Sequence, residues 1–321
     1  QRQMCIRDSV KIYNCCAIDR PPKTTEIDNM NNPVGFFLNL DQGPLSNEEV
    51  VATLANIGYQ CIEYGITHLN PQTMTEQEMK DLIRMTEAGG LSVSEWVVQR
   101  ELVHRDENVR ERELQLILDC ISAAGDLGIG VMNLYTGPAH FMQIGSPVLH
   151  KEISEGEAWT MVCHAMDRII PAAEKAQVRI AIEAVYGMVC REYYTLAELL
   201  HRYDSAFLGC NYDPSHMELH YNTVSWTIEQ LQNRIFHCHV KDTAGVPGKV
   251  MDDTFLFSML GEGRVDWPGF FSTMKKIGYD GCLSVECEAF RYYDTTLQKD
   301  LGLCAEMFYR DYQSLNSQYG S

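Results

Sequence analysis

Four short segments in the second half of the chain lie within apolar, strand-like runs and end in carboxylate or imidazole groups. They are residues 180–183, 211–216, 237–242 and 283–286. A buried strand that ends in charged groups is costly unless those groups meet a cation or one another. Because the four endings recur at the spacing of one strand and one helix, they indicate a single divalent metal ion at the rim of a barrel.

The alternation of side chains along a strand selects the metal ligands. Residues two apart share a face, so the polar side chains of these segments point one way and the apolar ones the other. The inward set offers three carboxylates and one imidazole, namely Glu183, Asp213, His239 and Glu286. Such donors suit Mn²⁺, Mg²⁺ or Co²⁺, with Mn²⁺ as the first choice and Zn²⁺ as an alternative.

Each of these residues also has a simpler explanation when it is taken alone. A glutamate at a strand end can pair with Lys241 or Arg264, and a single histidine is often structural. Asp213 precedes a proline and could form only a turn. Four donors of the same parity on four strands favour the shared metal site. Lys241 has the parity of His239, and we assign it to substrate binding.

The elements that must position these residues alternate regularly from residue 34 onward. Serine or threonine followed three residues later by glutamate is a helix-start signal, and it occurs at Ser46, Thr75, Ser154 and Thr195. Apolar runs predict eight strands at residues 34–38, 59–64, 91–96, 130–135, 178–184, 207–212, 235–240 and 282–287. Eight helices are predicted to follow them.

Strands this apolar are expected to be covered by helices on the outside and to run parallel. Eight strand–helix units predict a closed (β/α)8 TIM barrel in a single α/β domain spanning residues 34–321. An open doubly wound sheet is the alternative, but residues 41–44 lack the glycine-rich phosphate turn that usually follows its first strand. Residues 1–33 carry little fold signal, and we interpret them as a leader in which residues 1–9 are an assembly-derived scar.

Composition excludes several classes of partner. The chain has 321 residues and a formal net charge of −18, which argues against nucleic acid and against anionic membrane surfaces. It has no run of about 20 apolar residues and no secretory leader. The 12 cysteines show no disulfide framework, so a reducing cytoplasm is the expected location.

These residues also carry a family resemblance. The segments at 178–183, 211–216, 237–242, 261–267 and 283–286 resemble the xylose isomerase-like TIM-barrel superfamily of sugar isomerases and epimerases, the AP endonuclease family 2 type. The resemblance implies that the four proposed ligands bind the metal. It further implies that Glu183 and Glu286 act as base and acid on opposite faces of the substrate, and that His216 binds the substrate.

The sequence departs from the ketose epimerases of that superfamily at two positions. Gly245 stands where they carry an arginine, and Val189 stands where they carry a second glutamate. A simple ketohexose epimerase is therefore doubtful. The endonuclease branch is disfavoured by the acidity of the chain and by the extra ligands that its three metals need. Residues 244–260 form a long segment that we expect to cover the site or to contact a partner.

We predict a metal-dependent sugar isomerase or epimerase that removes a proton next to a carbonyl through an enediolate. A metal-dependent lyase or dehydratase acting on a keto-sugar or 3-oxo-glycoside is the alternative, and a non-catalytic barrel subunit is a third hypothesis. Further candidates for the sugar pocket are Glu95, Trp96 and His140, with His140 as a candidate extra acid or base. A homo-oligomer is expected, or a hetero-complex with a small subunit if the protein is a lyase.

Overall fold

Short apolar runs form a closed barrel of eight parallel strands, and with the helices between them the described residues make a (β/α)8 TIM barrel. The structure is a computed structural model that describes residues 30–139, 146–245 and 255–320. The barrel strands are β1 (Val34–Phe37), β2 (Cys61–Gly65), β3 (Ser92–Val97), β4 (Val131–Leu134), β5 (Arg179–Glu183), β6 (Leu208–Tyr212), β7 (Ile235–Val240) and β10 (Leu283–Val285).

Closure of the barrel decides between the two predicted architectures. Val34 of β1 is in register with Leu283 of β10, and Gly35 of the same strand is in register with Cys61 of β2. Neither edge of the sheet is therefore left open, and the doubly wound alternative is wrong. The eight predicted strands all occur, with ends that differ from the prediction by at most a few residues.

The helices begin where side chains can bind their free backbone amides. Ser46, Thr75 and Ser154 form the predicted capping boxes with glutamates three residues later. Thr195 does not cap its helix, because the carboxylate of Glu192 accepts the amides of Tyr194 and Thr195 and starts the helix earlier. The helices are α1 (Asn47–Ile57), α2 (Glu76–Ala88), α3 (Glu107–Leu127), α4 (Glu155–Ala176), α5 (Tyr193–Arg202), α6 (Pro214–Leu219), α7 (Val224–Leu231), α8 (Trp267–Ile277) and α9 (Leu301–Tyr319).

Two further strands form an antiparallel hairpin outside the barrel. They are β8 (Asp242–Gly245) and β9 (Phe255–Ser258), which follow directly after β7. The sequence predicted only a long segment here, and the described part of that segment is this hairpin. Its position after β7 brings it to the carboxyl end of the barrel, where the predicted site lies.

The main hydrophobic core lies between the barrel and the helices. The outward side chains of β7, such as Cys238 and Val240, are fully buried in it, while His237 and His239 alternate with them and face inward. Among the described residues, the structure contains no helix that is both long and apolar enough to cross a bilayer. The predicted leader, apart from residues 30–33, lies outside the described residues.

Candidate metal centre

The structure brings the four predicted ligands together at the carboxyl end of the barrel. Glu183 ends β5, His239 lies on β7, and Asp213 and Glu286 directly follow β6 and β10. All four are buried, and one donor atom from each lies within 4.8 Å of the others. Each strand delivers its donor to the same opening because the carboxyl ends of parallel barrel strands meet there. We refer to these four residues as the first centre.

His239 stands in the middle of the first centre. Its Nδ1 atom lies 3.3 Å from Oε1 of Glu183 and 3.2 Å from Oε2 of Glu286. Its other nitrogen, Nε2, lies 3.0 Å from Oε2 of Glu63 on β2. With a proton on Nε2 donated to Glu63, the Nδ1 lone pair points at the first centre, which is the usual way a carboxylate orients a metal-binding imidazole.

Lys241 places an ammonium group beside two of these carboxylates. Its Nζ atom lies 2.9 Å from Oδ2 of Asp213, 2.7 Å from Oε2 of Glu286 and 3.0 Å from Oε2 of Glu288. Burial alone would lower the pKa of Lys241, but these carboxylates outweigh it and hold the pKa well above its usual range. Lys241 is therefore a buried cation.

The same contacts set the charge of the carboxylates. Burial raises the pKa of Asp213, but Lys241, then His216 and His239, outweigh it and lower the value to about 2. Burial raises the pKa of Glu288 to about 7, with Lys241 acting against it. Asp213 is therefore an anion at neutral pH, as a metal ligand must be, and Glu288 is poised between its two forms.

His216 is brought to the edge of the first centre by the short helix α6. Its Nε2 atom lies 3.5 Å from Oδ2 of Asp213 and 3.9 Å from Oε1 of Glu183. Its Nδ1 atom accepts the backbone amide of Tyr186 at 3.3 Å. Burial, followed by the charge of Lys241, lowers its pKa to about 3, so His216 is neutral and carries its proton on Nε2. It can donate a hydrogen bond into the site.

Two amide side chains that the sequence analysis did not select hold Glu183. Gln99 donates to Oε2 of Glu183 at 2.7 Å, and Asn133 of β4 donates to the same oxygen at 3.2 Å. Oε1 of Glu183 is left to face His239. Asn133 has the inward parity on a predicted strand, which is the signal that could have identified it, but Gln99 follows its strand and carried no such signal.

A groove at the barrel mouth is lined by two residues, Phe37 and Gln99, that contact the first centre. Its volume is about 760 Å³, and its walls come from the segments that follow β1 to β4. Phe37 lies on its wall and stacks on the His239 ring, with 5.6 Å between ring centroids, and Gln99 connects the same wall to Glu183. On another side of the first centre, Phe257 of the hairpin packs against His216. The centroid of its ring lies 4.5 Å from Nζ of Lys241. The groove is large enough for a monosaccharide.

The structure does not bring the remaining predicted pocket residues to the first centre. Trp96 is fully buried in the main core, because it alternates with Glu95 and so faces the helices, and a place in the sugar pocket stays a prediction for it. Glu95 faces inward but lies beside His237 and Glu63 in a separate cluster. Burial, followed by the charge of Glu63, holds the pKa of Glu95 well above its usual range. His140 lies outside the described residues.

The residues of the first centre suit a divalent cation. Three carboxylates and one imidazole present hard oxygen donors with one nitrogen, within the span of a single coordination sphere. The buried carboxylates carry more negative charge than Lys241 alone balances. The donor set therefore agrees with the ligand chemistry that the sequence predicts.

Comparisons with known proteins identify the family to which the chain belongs. A family model described as the xylose isomerase-like TIM barrel matches residues 51–306. An L-ribulose-5-phosphate 3-epimerase, UlaE, of Shigella flexneri is 25% identical over 185 residues, which are 58% of this chain and 59% of that protein. An inosose dehydratase of Clostridium botulinum is 21% identical over 252 residues, 75% of this chain and 82% of that protein.

The fold comparison agrees with the family match. The crystal structure of the IolI protein with a zinc atom has a TM-score of 0.70 and 18% sequence identity, and the match covers 90% of this chain and 99% of that one. At such identity the likeness establishes the fold alone. The chain spans about 60% of the length of several curated relatives that it matches, among them the uncharacterised protein MJ1311 of Methanocaldococcus jannaschii.

Proposed function

Because the chain belongs to the xylose isomerase-like TIM barrel family, we propose that it is a divalent-metal-dependent enzyme that removes a proton next to a sugar carbonyl. The observation that carries this proposal is the convergence of the donor atoms of Glu183, Asp213, His239 and Glu286 within 4.8 Å at the barrel mouth. Mn²⁺ is the proposed ion, with Mg²⁺, Co²⁺ or Zn²⁺ as alternatives. When bound, such an ion supplies Lewis-acid polarisation of a carbonyl and an adjacent hydroxyl.

The two glutamates are the proposed base and acid. Glu183 and Glu286 approach His239 from β5 and β10, which lie on different sides of β7 in the barrel. A sugar carbon held between them would face one carboxylate on each side. One glutamate would take the proton and leave an enediolate, and the other, once protonated, would return a proton. Reprotonation on the opposite face gives epimerisation, and reprotonation at the neighbouring carbon gives isomerisation.

Other side chains would position the sugar and tune these groups. Gln99 and Asn133 hold Oε2 of Glu183, so the remaining oxygen has a fixed direction. His216 carries a proton on Nε2 and would donate a hydrogen bond to a substrate hydroxyl. Lys241 would stabilise negative charge that develops on the substrate, since its ammonium lies 2.7 Å from Glu286.

An elimination is the second candidate, and a specific observation favours it. The inosose dehydratase match covers 82% of that protein, a larger share than the epimerase match covers. Gly245 and the buried Val189 also stand where ketose epimerases carry an arginine and a glutamate. The same proton abstraction followed by loss of a β-substituent would make the protein a lyase acting on a keto-sugar or 3-oxo-glycoside.

We further propose a small-molecule carbohydrate as the substrate, no nucleic-acid or membrane partner, and the cytoplasm as the location. A homo-oligomer is the proposed assembly, with a hetero-complex with a small subunit as the form to seek if the lyase reaction holds. A non-catalytic barrel would not need a metal, so the metal content of the purified protein separates that third hypothesis from the other two.

Proton–deuterium exchange followed by NMR tests the proposal directly. Purified protein loaded with Mn²⁺ is incubated in D₂O with ketoses, inososes and 3-oxo-glycosides. We expect exchange at the carbon next to the carbonyl for at least one compound, and loss of at least 10²-fold of the rate in Glu183→Gln and in Glu286→Gln. Glu229→Gln, which alters an exposed partner of Lys276, is the control and should keep the full rate.

The products of the same reaction distinguish the candidates. Exchange with an epimer or isomer as product supports the first candidate, and release of water or of an aglycone supports the lyase. Full turnover in either glutamine variant would show that the glutamates are wrongly assigned. Protein that binds no divalent ion and exchanges no proton would contradict both enzymatic candidates.

A further inference from the structure

A second group of buried carboxylates and imidazoles lies inside the barrel, separate from the carboxylates of the first centre. Glu63 of β2 and Glu95 of β3 are partners in the strand register and point to the same interior. His237 of β7 faces them, and Nε2 of His239 closes the group, so that one donor atom of each lies within 4.8 Å of the others. Glu63 and Glu95 are 0% exposed and His237 is 1% exposed.

Several polar atoms of this group lack partners. Neither carboxylate oxygen of Glu95 has a hydrogen-bond partner among the described residues, and neither do Oε1 of Glu63 and Nδ1 of His237. Buried polar atoms in folded proteins are nearly always paired, because an unpaired one has lost its hydrogen bonds to water without a replacement. Unpaired atoms on three buried residues, each with a donor atom within 4.8 Å of the others, indicate a ligand that binds between them.

The charges of the group favour a cation as that ligand. Two carboxylates stand opposite each other on neighbouring strands, an arrangement in which like charges repel. Within the described residues, the ion-pair partners of Glu63 and Glu95 are the imidazoles of His237 and His239, and neither has a lysine or arginine within ion-pair distance. A divalent cation bound between the carboxylates would favour the ionised form of both.

The distance between His237 and Glu95 matches that between two ligands of one metal ion. Nε2 of His237 lies 3.2 Å from Oγ of Ser94, to which it can donate, and this leaves the Nδ1 lone pair directed at Glu95. Nδ1 lies 3.4 Å from Oε2 of Glu95, and the pair does not have hydrogen-bond geometry. Two ligands about 2.1 Å from a tetrahedral ion are themselves about 3.4 Å apart.

We propose that Glu63, Glu95 and Nδ1 of His237 bind a second divalent cation, a Zn²⁺ or Mn²⁺ ion. His239 keeps Nδ1 for the first centre and donates from Nε2 to Glu63, which links the two centres through one imidazole. Because its ligands are inaccessible to solvent, the second ion does not meet substrate, and its role is to hold β2, β3 and β7 together. This site does not depend on the reaction proposed for the first centre.

Metal stoichiometry and anomalous diffraction test this site. Protein saturated with Zn²⁺ and freed of excess metal should contain two ions per chain by elemental analysis. Glu95→Gln should retain one ion and Asp213→Asn should also retain one, each having lost a different centre. Glu101→Gln replaces an equally buried carboxylate outside both centres and should retain both ions. In crystals of the wild-type protein, data at the zinc absorption edge should show a peak between Glu95 and His237.

The outcomes separate this proposal from the proposed function. A single ion that is lost in Asp213→Asn and kept in Glu95→Gln would overturn the second site and leave the enzymatic proposal standing. In the wild-type crystal, a single anomalous peak at the first centre would also overturn the second site. This measurement needs no variant, so the proposal remains testable even if Glu95→Gln does not fold. Two peaks with no proton exchange on any sugar tested would support the second site and contradict the proposed reaction.

Discussion

The ammonium nitrogen of Lys241 lies 2.7 Å from Oε2 of Glu286, inside the group of carboxylates that we propose to bind the catalytic metal. It also lies 2.9 Å from Oδ2 of Asp213. The first centre therefore contains a cation of its own, which balances part of the carboxylate charge in the protein without metal. A bound ion and Lys241 would share the same anions.

Removal of this ammonium should make the fold depend on metal. In Lys241→Met the aliphatic volume is kept, but Asp213 and Glu286 lose their cation, which we expect to cost the metal-free protein about 3–5 kcal/mol in unfolding free energy. Mn²⁺ should recover much of this loss, so the rise in Tm on adding Mn²⁺ should be larger in the variant than in the wild type. Thermal unfolding with EDTA and with Mn²⁺ measures both effects.

Lys276→Met is the matched control for that experiment. Lys276 is 69% exposed at its side chain and pairs with Glu229 on the surface, where an ion pair contributes little. The Tm of Lys276→Met should differ little from that of the wild type, and the difference should be the same with and without Mn²⁺. Equal destabilisation of Lys241→Met in EDTA and in Mn²⁺ would show that the lysine does not compensate the charge of the metal ligands.

Gln99 should affect the rate through Glu183. Its amide donates to Oε2 of Glu183 at 2.7 Å, and Gln99→Leu removes this donor at nearly constant volume. Loss of a hydrogen bond that orients a metal ligand typically costs 10–100-fold in metal affinity or activity, and we expect a fall of that size. Steady-state kinetics at saturating Mn²⁺ measure the loss of activity, and a separate Mn²⁺ titration measures the loss of metal affinity.

A glutamine on the protein surface provides the control for Gln99→Leu. Gln77 on α2 donates to Asp81 on the protein surface, so Gln77→Leu removes a similar hydrogen bond far from the site. Its kinetics and metal affinity should match those of the wild type. Unchanged kinetics and Mn²⁺ affinity in Gln99→Leu would mean that Asn133 alone suffices to hold Glu183.

The sequence was sufficient to predict the barrel and the first centre because both depend on local periodicity. Alternation along β7 separated His239 from Cys238 before any contact was known, and the capping box at Ser46 marked the start of α1. Parity says which face a side chain takes, and in a closed barrel one face is the interior. That rule placed Glu183 and Glu286 correctly inside the barrel.

The second cluster and the hairpin were missed for a different reason. In the sequence, Glu63 and Glu95 are isolated charged residues in two different strands. Only the pairing of β2 with β3 shows that they stand opposite each other. Trp96 was grouped with its neighbour Glu95 as a pocket candidate, although adjacent residues of a strand face opposite sides. The hairpin partner of residues 242–245 comes from beyond a long intervening segment, and local sequence patterns do not specify such pairings.

Asp242 should be critical for stability although it touches neither centre. It is fully buried, and its two oxygens accept the backbone amides of Thr243, Gly261, Gly263 and Val265 and the indole N–H of Trp267, at 2.8–3.1 Å. Asp242→Ala leaves these donors unpaired, and we expect a loss of at least about 3 kcal/mol in unfolding free energy. Urea denaturation measures it.

Two further variants test that interpretation of Asp242. Gly263→Ala should also destabilise the protein, because a Cβ at this position would collide with the Asp242 carboxylate and with the carbonyl oxygen of Thr243. Asp204→Ala alters a carboxylate whose side chain is 86% exposed and should change the unfolding midpoint little. A mild effect of Asp242→Ala, comparable to that of Asp204→Ala, would show that water replaces the carboxylate.

Glu101 should make stability fall as pH rises. Its buried carboxylate accepts the backbone amides of Val103 at 3.1 Å and Ala139 at 2.9 Å, and it is hydrogen-bonded to Ser146. Burial nevertheless raises its pKa above the usual value of 4.5, against these hydrogen bonds. The folded protein therefore binds this proton more tightly than the unfolded chain, so the contribution of Glu101 is fully present below about pH 4.5 and is lost as pH rises through the folded pKa.

Glu101→Gln cannot ionise and should not show this loss. The stability of the wild type relative to Glu101→Gln, measured by urea denaturation, should thus decrease as pH rises above about 4.5 and level off above the folded pKa, with a total loss of about 1.4 kcal/mol for each unit of pKa shift. Glu218→Gln, a partly buried glutamate paired with Arg264, should show no such decrease. A difference that grows with pH would mean that the three hydrogen bonds outweigh burial and that Glu101 is stabilised as an anion in the folded protein.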